Sequence, residues 1–131
     1  MKNKILIVNA TYYKDFSKNL ETEAIRFIKN QTKYKIIHVP GIFEIPVIIA
    51  KYINKFDGFI ALGCVIKGET PHFDFISRAT TEAIMNLSVN FKKPIGNGII
   101  TCLNKNQAKL RSKKKGKEAS KAVLSVIANI K

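Results

Sequence analysis

Residues 59–66 form an unbroken run without a polar or charged side chain, and this run constrains the fold more than any other feature of the sequence. A run of this length that ends in a polar, glycine-containing segment is typical of a β-strand buried on both faces, as in a parallel sheet. Residues 4–8 form a shorter segment of the same kind, in which Lys4 precedes four apolar residues and Asn9 ends the run. Because parallel neighbours need long crossover connections, the chain must supply helices between such strands.

The rest of the sequence supplies those helices. Segments with apolar residues at helical spacing alternate with short β-rich segments. The predicted strands are residues 4–8, 34–39, 59–66 and 95–101. The predicted helices are residues 15–29, 46–53, 73–91, 104–111 and 116–130, and Asp15 or Ser17 is expected to cap the first of them. With right-handed crossovers this order predicts an α/β fold, a three-layer α/β/α sandwich whose four-stranded parallel, flavodoxin-like sheet carries helices on both faces.

The chain has 131 residues, of which 46% are hydrophobic, and this is the usual size and apolar content of one domain. We therefore expect residues 1–131 to form a single domain. No stretch approaches the roughly 18 consecutive apolar residues of a membrane span, and the first four residues lead directly into a strand rather than into a signal peptide. These features predict a cytoplasmic protein with no membrane partner.

The formal net charge of +14 favours anionic partners, which include nucleic acid, acidic membranes and phosphorylated small molecules. Twenty lysines against three arginines, spread along the chain, indicate a general lysine bias more than a nucleic-acid surface. Only residues 105–121 are dense in lysine, and this segment could hold nucleic acid through its phosphates or simply form a solvated basic face. No base-stacking aromatic residues interleave these lysines, so we expect no nucleic-acid partner.

The cysteines and histidines are too few for a common metal site. Cys64 and Cys102 each lie at the end of an apolar run, where a small buried thiol is the usual interpretation. The remaining nitrogen ligands would be His38 and His72 alone, which cannot complete a zinc site of nitrogen and sulfur ligands. We expect no metal and no metal-dependent mechanism.

In a parallel sheet, ligands lie at the carboxyl ends of the strands, and residues 68–72 follow the third strand. Gly68 allows close backbone approach, and the helix that begins immediately afterwards directs unpaired N–H groups at an anion such as phosphate. His72, at the start of this helix, can donate and accept a proton near neutral pH. Alternatively, His72 merely caps this helix or packs at its start. The adjoining anion loop favours a role in proton transfer.

Two further loops carry weaker signals. Glu44, after the second strand, could accept hydrogen bonds from the hydroxyl groups of a polyol, or could simply interact with the dipole of the helix that it begins. Tyr12 and Tyr13, after the first strand, could stack on a planar heterocycle or simply pack. A flavin or nucleotide binder of this fold would need a serine- or glycine-rich phosphate turn after the first strand, and residues 9–12 lack one.

Three motifs, GIFEIP, ALGCVIKGETPHFDF and PIGNGIIT, resemble the consecutive signatures of the 6,7-dimethyl-8-ribityllumazine synthase family. The resemblance spans essentially the whole chain, and the longest motif lies in a βα unit. It implies a transferase of riboflavin biosynthesis that condenses 5-amino-6-(D-ribitylamino)uracil with 3,4-dihydroxy-2-butanone 4-phosphate and releases phosphate and water. It implies no cofactor and no metal.

The resemblance also assigns site residues, and it makes His72 the proton-transfer residue. The residues that it places on the ribitylaminouracil, with Tyr12 stacking on the ring and Glu44 on the polyol, are Tyr12, Ile42, Phe43, Glu44, Cys64, Val65, Ile66 and Asn97. The residues that it places on the butanone phosphate are Glu69, Thr70, Arg111 and Lys115.

Members of this family assemble as pentamers, sometimes packed into larger shells. The resemblance therefore implies a homo-oligomer, a pentamer or a multiple of pentamers, in which Asn97 and Arg111 reach the site of a neighbouring subunit. The sequence departs from the family pattern at Thr11, where arginine is common, and at Tyr12, where phenylalanine is usual. The segment after Arg111 is also several residues shorter than in the family.

Overall fold

The computed structural model describes residues 2–69 and 72–130, and within these residues four strands form one parallel sheet in the order β2-β1-β3-β4. The strands are β1 Lys4–Ala10, β2 Lys33–Val39, β3 Gly58–Ile66 and β4 Ile95–Cys102. The α-helices are α1 Lys14–Ile28, α2 Ile45–Tyr52, α3 Phe73–Phe91, α4 Lys105–Arg111 and α5 Lys115–Ile130. The predicted three-layer α/β/α sandwich with a four-stranded parallel sheet is confirmed.

Two predicted boundaries near the end of β1 are wrong. The strand continues through Asn9, because the buried amide nitrogen has partners on the α1 side, where Nδ2 donates to Ser17 O and to Glu21 Oε1, each at 3.1 Å. Helix α1 begins at Lys14 without a side-chain cap, so neither Asp15 nor Ser17 caps it. Ser17 is buried instead, and its hydroxyl donates to the Lys14 carbonyl at 3.1 Å.

The two faces of the sheet bury alternate residues of each strand. Ile5 and Ile7 of β1 pack with α1 and α5, whereas Leu6 and Val8 pack with the layer that contains α2 and α3. Burial of each such side chain contributes about 1.5–3 kcal/mol to folding. Because both faces are covered, residues 5–8 of β1 and residues 59–66 of β3 are continuous apolar runs. In the part of the chain that the structure describes, no helix is long and apolar enough to cross a membrane.

Helix α5 lies unusually close to its neighbours at two glycines. A Cβ added at Gly96 of β4 would lie 2.3 Å from the Ala119 carbonyl oxygen, and one added at Gly116 would lie 2.1 Å from the Leu20 carbonyl oxygen. Any larger residue would therefore push α5 away from the sheet or from α1. Since Gly116 follows the first residue of α5, this packing also fixes Lys115.

The strand register brings the four carboxyl ends to one edge of the sheet. Ala10 pairs with Val39, and Ile66 pairs with Cys102. The segments that follow these residues are the ones in which the sequence placed the site, so their proximity follows from the parallel arrangement.

Candidate active site

A cavity of about 220 Å³ opens at this carboxyl edge, between the loops after β1 and β2, the end of β3 and the first turns of α3. Its lining includes six residues that the family resemblance assigned to the ribitylaminouracil: Tyr12, Ile42, Phe43, Glu44, Cys64 and Val65. Gly41 and Ile76 also line it and were not assigned. Ile76 lies one helical turn after His72, and this spacing is the signal by which the sequence could have indicated it. Four separate segments of the chain thus meet at one cavity.

The loop that contains Glu44 fixes the direction of its carboxylate. Ile42–Glu44 forms a short 3-10 turn in which Ile42 is buried, and the Gly41 N–H donates to Glu44 Oε1 at 2.9 Å. Within the described residues Oε2 makes no hydrogen bond or ion pair, so it remains an acceptor for a ligand hydroxyl. The carboxylate is therefore oriented before any ligand arrives.

Two exposed aromatic side chains flank the cavity. Tyr12 is 65% exposed and Phe43 is 60% exposed, and both offer a surface on which a planar ring can stack. The Tyr13 ring meets the Tyr12 ring at 4.9 Å with an angle of 81° between the planes. This T-shaped contact supports the Tyr12 ring without covering it with a parallel ring.

The last residues of β3 point alternately to the two faces of the sheet. Val65 packs with the layer that contains α2 and α3, whereas Cys64 and Ile66 belong to a cluster on the other face with Cys102 and Ala108. Ile66 is 1% exposed and does not line the cavity, although the resemblance assigned it to the substrate. A contact of Ile66 with a ligand in this cavity would therefore involve its backbone.

Cys64 and Cys102 are free, buried thiols, as the sequence predicted. Burial, and secondarily the neighbouring Cys102, raises the pKa of the Cys64 thiol to about 12. Burial also raises the pKa of Cys102, although the nearby Arg111 guanidinium opposes this shift. Both thiols are protonated at neutral pH, so Cys64 is a small apolar part of the cavity wall and not a nucleophile.

These thiols give a first testable prediction. Because both side chains are buried and both pKa values are raised, we expect neither cysteine of the native protein to react appreciably with an aromatic disulfide reagent at pH 8. In guanidinium chloride both thiols of each chain should react at once, which provides the control. A rapid reaction of one thiol in the native protein would contradict the burial of that side chain.

The described part of the predicted phosphate loop is bent and carries an ion pair. Gly68 has a φ of 85°, which a residue with a side chain rarely adopts. Glu69 Oε1 lies 3.6 Å from Lys105 Nζ at the start of α4. Thr70, which the resemblance assigned to the substrate phosphate, lies outside the described residues. Lys105 therefore adds a cation beside this loop that sequence reasoning did not assign, because no local pattern reports a pairing between segments so far apart.

His72 has a left-handed backbone conformation, with φ 61° and ψ 33°. This conformation costs a residue with a Cβ atom about 1 kcal/mol or more. Its carbonyl accepts the Ile76 N–H at 2.9 Å and so begins α3, while its exposed side chain makes no hydrogen bond to any described residue. A strained backbone that presents a free imidazole is typical of a functional position.

Three further residues that the resemblance assigned do not line the cavity. Asn97 is an exposed residue in the middle of the edge strand β4. Arg111 ends α4, where Nη1 donates to the Thr101 carbonyl at 2.7 Å, and Lys115 is the first residue of α5. None of the three lines the cavity, and neither do Glu69 and His72. Arg111 nevertheless lies close enough to the cavity residue Cys64 to oppose the rise in the pKa of that thiol.

Across residues 2–69 and 72–130, no group of three or more histidine, cysteine, aspartate or glutamate residues could hold a metal ion. The polar groups at the carboxyl edge are instead a fixed carboxylate, a free imidazole and lysine and arginine side chains. Such a set can bind hydroxyl groups and an anion and can move a proton.

Comparison with known proteins agrees with this arrangement. A family model described as 6,7-dimethyl-8-ribityllumazine synthase matches residues 2–131. Proteins named 6,7-dimethyl-8-ribityllumazine synthase from Bartonella bacilliformis and Agrobacterium fabrum are 42% and 41% identical to this chain, covering 95% and 96% of it and 88% and 93% of their own lengths. A protein from Rhodopseudomonas palustris, named 6,7-dimethyl-8-ribityllumazine synthase 1, is 38% identical over 95% of this chain and 83% of its own length. Agreement over nearly the full length shows that the chain belongs to the 6,7-dimethyl-8-ribityllumazine synthase family of enzymes.

Proposed function

We propose that this protein forms 6,7-dimethyl-8-ribityllumazine in riboflavin biosynthesis, as a transferase that condenses 5-amino-6-(D-ribitylamino)uracil with 3,4-dihydroxy-2-butanone 4-phosphate. The observation that carries the proposal is the cavity at the carboxyl edge, where segments from four parts of the chain present a stacking surface, an oriented carboxylate and an apolar wall. These are the groups that a planar heterocycle with a polyol side chain needs. The reaction requires no cofactor, and residues 1–131 act as one domain in the cytoplasm.

The ribitylaminouracil occupies the 220 Å³ cavity. Its ring stacks against Tyr12 and contacts Cys64 and Val65, and its ribityl hydroxyl groups donate to Glu44 Oε2. Phe43 covers the outer side. Support comes from the exposure of the two aromatic rings and from the hydrogen bond that fixes Oε1 of Glu44 on the Gly41 amide.

The phosphate of the second substrate is held by residues 68–72, with Thr70 and the start of α3 supplying donors and Glu69 orienting the loop through its ion pair with Lys105. Arg111 supplies a bidentate guanidinium, and Lys115 adds a further cation. The net charge of +14 attracts this anionic substrate to the protein.

The chemistry consists of proton transfers between two oriented substrates. The ring amine attacks the ketone, and loss of water forms an imine. Phosphate then leaves, and closure of the second ring with a further loss of water gives the lumazine. His72 moves protons between the reacting atoms. Holding both substrates together replaces a bimolecular encounter by an oriented reaction, which accounts for much of the acceleration.

The site is completed by a neighbouring copy of the chain. Asn97 and Arg111 do not line the cavity of their own protomer, and both lie on the β4 side of the sheet. Exposed apolar residues are also abundant: Phe75, Met85 and Val89 lie along one face of α3, with exposures of 61% or more. Monomeric proteins rarely expose such a stripe, which supports a homo-oligomer, a pentamer or a multiple of it.

The direct test is to mix the purified protein with the two substrates. We expect lumazine fluorescence to appear together with released inorganic phosphate, at the same rate with and without a metal chelator. Protein that elutes as an assembled oligomer and is folded by circular dichroism, yet forms no lumazine, would overturn the proposal.

Arg111→Ala should mainly weaken binding of the butanone phosphate. Loss of a charged donor from a phosphate costs about 1.5–3 kcal/mol, so KM for this substrate should rise roughly tenfold or more, with a smaller effect on KM for the ribitylaminouracil. Arg26→Ala is the matched control, since Arg26 is an exposed arginine of α1 paired with Glu23. Equal rises in KM for both substrates would contradict the phosphate role.

A further inference from the structure

A second, larger cavity lies at the opposite end of the sheet from the candidate active site. Its volume is about 380 Å³, within the range of small-molecule sites. It opens between the amino ends of β1 and β2 and the carboxyl end of α2 with the turn that follows. Its lining residues are Lys4, Lys33, Tyr34, Lys35, Tyr52, Lys55 and Phe56. The mechanism proposed above uses none of them.

The aromatic wall of this cavity is held in place from behind. The Tyr52 and Phe56 rings meet at 6.1 Å in a T-shaped contact, and Phe56 also packs on the buried Phe59 at 6.0 Å. Lys93 Nζ donates to the Phe56 carbonyl at 2.9 Å and so anchors the turn. Tyr52 and Phe56 are nevertheless only partly buried, so they leave ring surface facing the cavity.

The four lysines of the cavity have no anionic partner. None of them forms an ion pair with a residue in the described ranges. Asp57 is close in sequence, but its Oδ2 accepts the backbone N–H of Lys4 at 2.7 Å. Two of the ammonium groups contact the aromatic rings. Lys4 Nζ lies 5.9 Å from the centroid of the Phe56 ring, and Lys55 Nζ lies 5.8 Å from the centroid of the Tyr52 ring. Four lysines and an aromatic wall thus line one concave surface, an arrangement that an anion would stabilise.

We propose that this cavity binds a phosphorylated planar heterocycle of mononucleotide size, with its phosphate among Lys4, Lys33 and Lys35 and its ring against Tyr52 and Phe56. A flexible ammonium group is a common phosphate partner, and an aromatic wall provides the stacking surface. Neither feature alone requires this ligand. Their combination in one cavity of this volume selects a molecule that carries both a ring and a phosphate.

The test is isothermal titration calorimetry at 0.15 M NaCl with adenosine 5′-monophosphate, and with adenosine and inorganic phosphate as its two halves. The mononucleotide should bind at least about tenfold more tightly than either half, because only the whole molecule contacts the lysines and the rings together. Lys35→Glu should weaken its binding about tenfold. Lys117→Glu, a charge reversal at an exposed lysine of α5, should leave the affinity unchanged.

The remaining comparisons separate this site from the candidate active site. Arg111→Ala should not alter binding of the mononucleotide, and Lys35→Glu should not alter lumazine formation. The proposal is overturned if the mononucleotide does not bind at millimolar concentration. It is likewise overturned if phosphate alone binds as tightly, if Lys117→Glu weakens binding as much as Lys35→Glu does, or if Arg111→Ala abolishes it.

Discussion

Replacing His72 by asparagine should lower kcat for lumazine formation by about 100-fold or more, the usual loss when a proton-transfer side chain is removed. Asparagine is the informative substitution because the residue has a φ of 61°, which asparagine tolerates better than most residues with a Cβ atom. The start of α3 should therefore keep its backbone, and the loss should report the missing imidazole. Because the imidazole makes no hydrogen bond to a described residue, the melting temperature should change little.

The chain offers a matched control for this experiment. His38 is an exposed histidine at the end of β2, and its Nε2 lies 2.6 Å from Glu21 Oε1, away from the cavity. His38→Asn should leave kcat unchanged. His72→Ala should lower kcat as much as His72→Asn and should also reduce stability slightly, because alanine tolerates the left-handed region less well. A His72→Asn enzyme with wild-type kcat would remove His72 from the mechanism.

Two variants that each lack one residue of the proposed site should regain activity when they are refolded together. If Arg111 serves the site of a neighbouring subunit, a His72→Asn chain can donate its intact Arg111 to an Arg111→Ala chain, whose His72 is intact. In randomly mixed closed rings with one donor neighbour for each site, roughly a quarter of the sites would contain both wild-type residues. Equal amounts of the two variants, mixed as unfolded chains and refolded together, should therefore recover roughly a quarter of wild-type activity at low substrate concentration.

The same variants refolded separately and then combined provide the control, because assembled oligomers exchange subunits too slowly to form mixed sites. Refolding His72→Asn with a His72→Asn/Arg111→Ala double variant should restore nothing, since no chain then carries an intact His72. If both chains are found in the same oligomers but the mixture is no more active than the two variants refolded alone, each site is built within one chain.

The order of strands and helices could be predicted from the sequence because burial on both faces leaves a local record. Residues 59–66 were predicted as a strand and lie within β3, and residues 73–91 coincide with α3. The first strand was predicted to end before Asn9, because a polar residue usually ends a buried strand. The amide nitrogen of Asn9 donates to Ser17 and Glu21, which belong to the following helix, and no local pattern reports that contact.

For the site, the residue types were predictable and the geometry was only partly so. Glu44 could be named from its motif, but the sequence does not show that the Gly41 amide holds one of its oxygens. Ile66 was assigned to the substrate from the same motif as Cys64 and Val65, yet its side chain is buried away from the cavity. Strand alternation does not explain this difference, because Cys64 and Ile66 lie on the same face of the sheet. It depends instead on where the strand ends relative to the cavity, which packing decides.

The parallel α/β fold and the family could be inferred from the sequence, and so could the expectation of a site at the ends of the strands, because periodic burial and short motifs are local properties of a chain. The tertiary structure alone decided which residues share a cavity, because contacts between distant segments depend on strand register and helix packing. It joined Tyr12, Glu44 and Cys64 in one cavity and left Asn97 and Arg111 outside its lining. It also gathered four lysines and an aromatic wall at the other edge, from segments that carry no common motif.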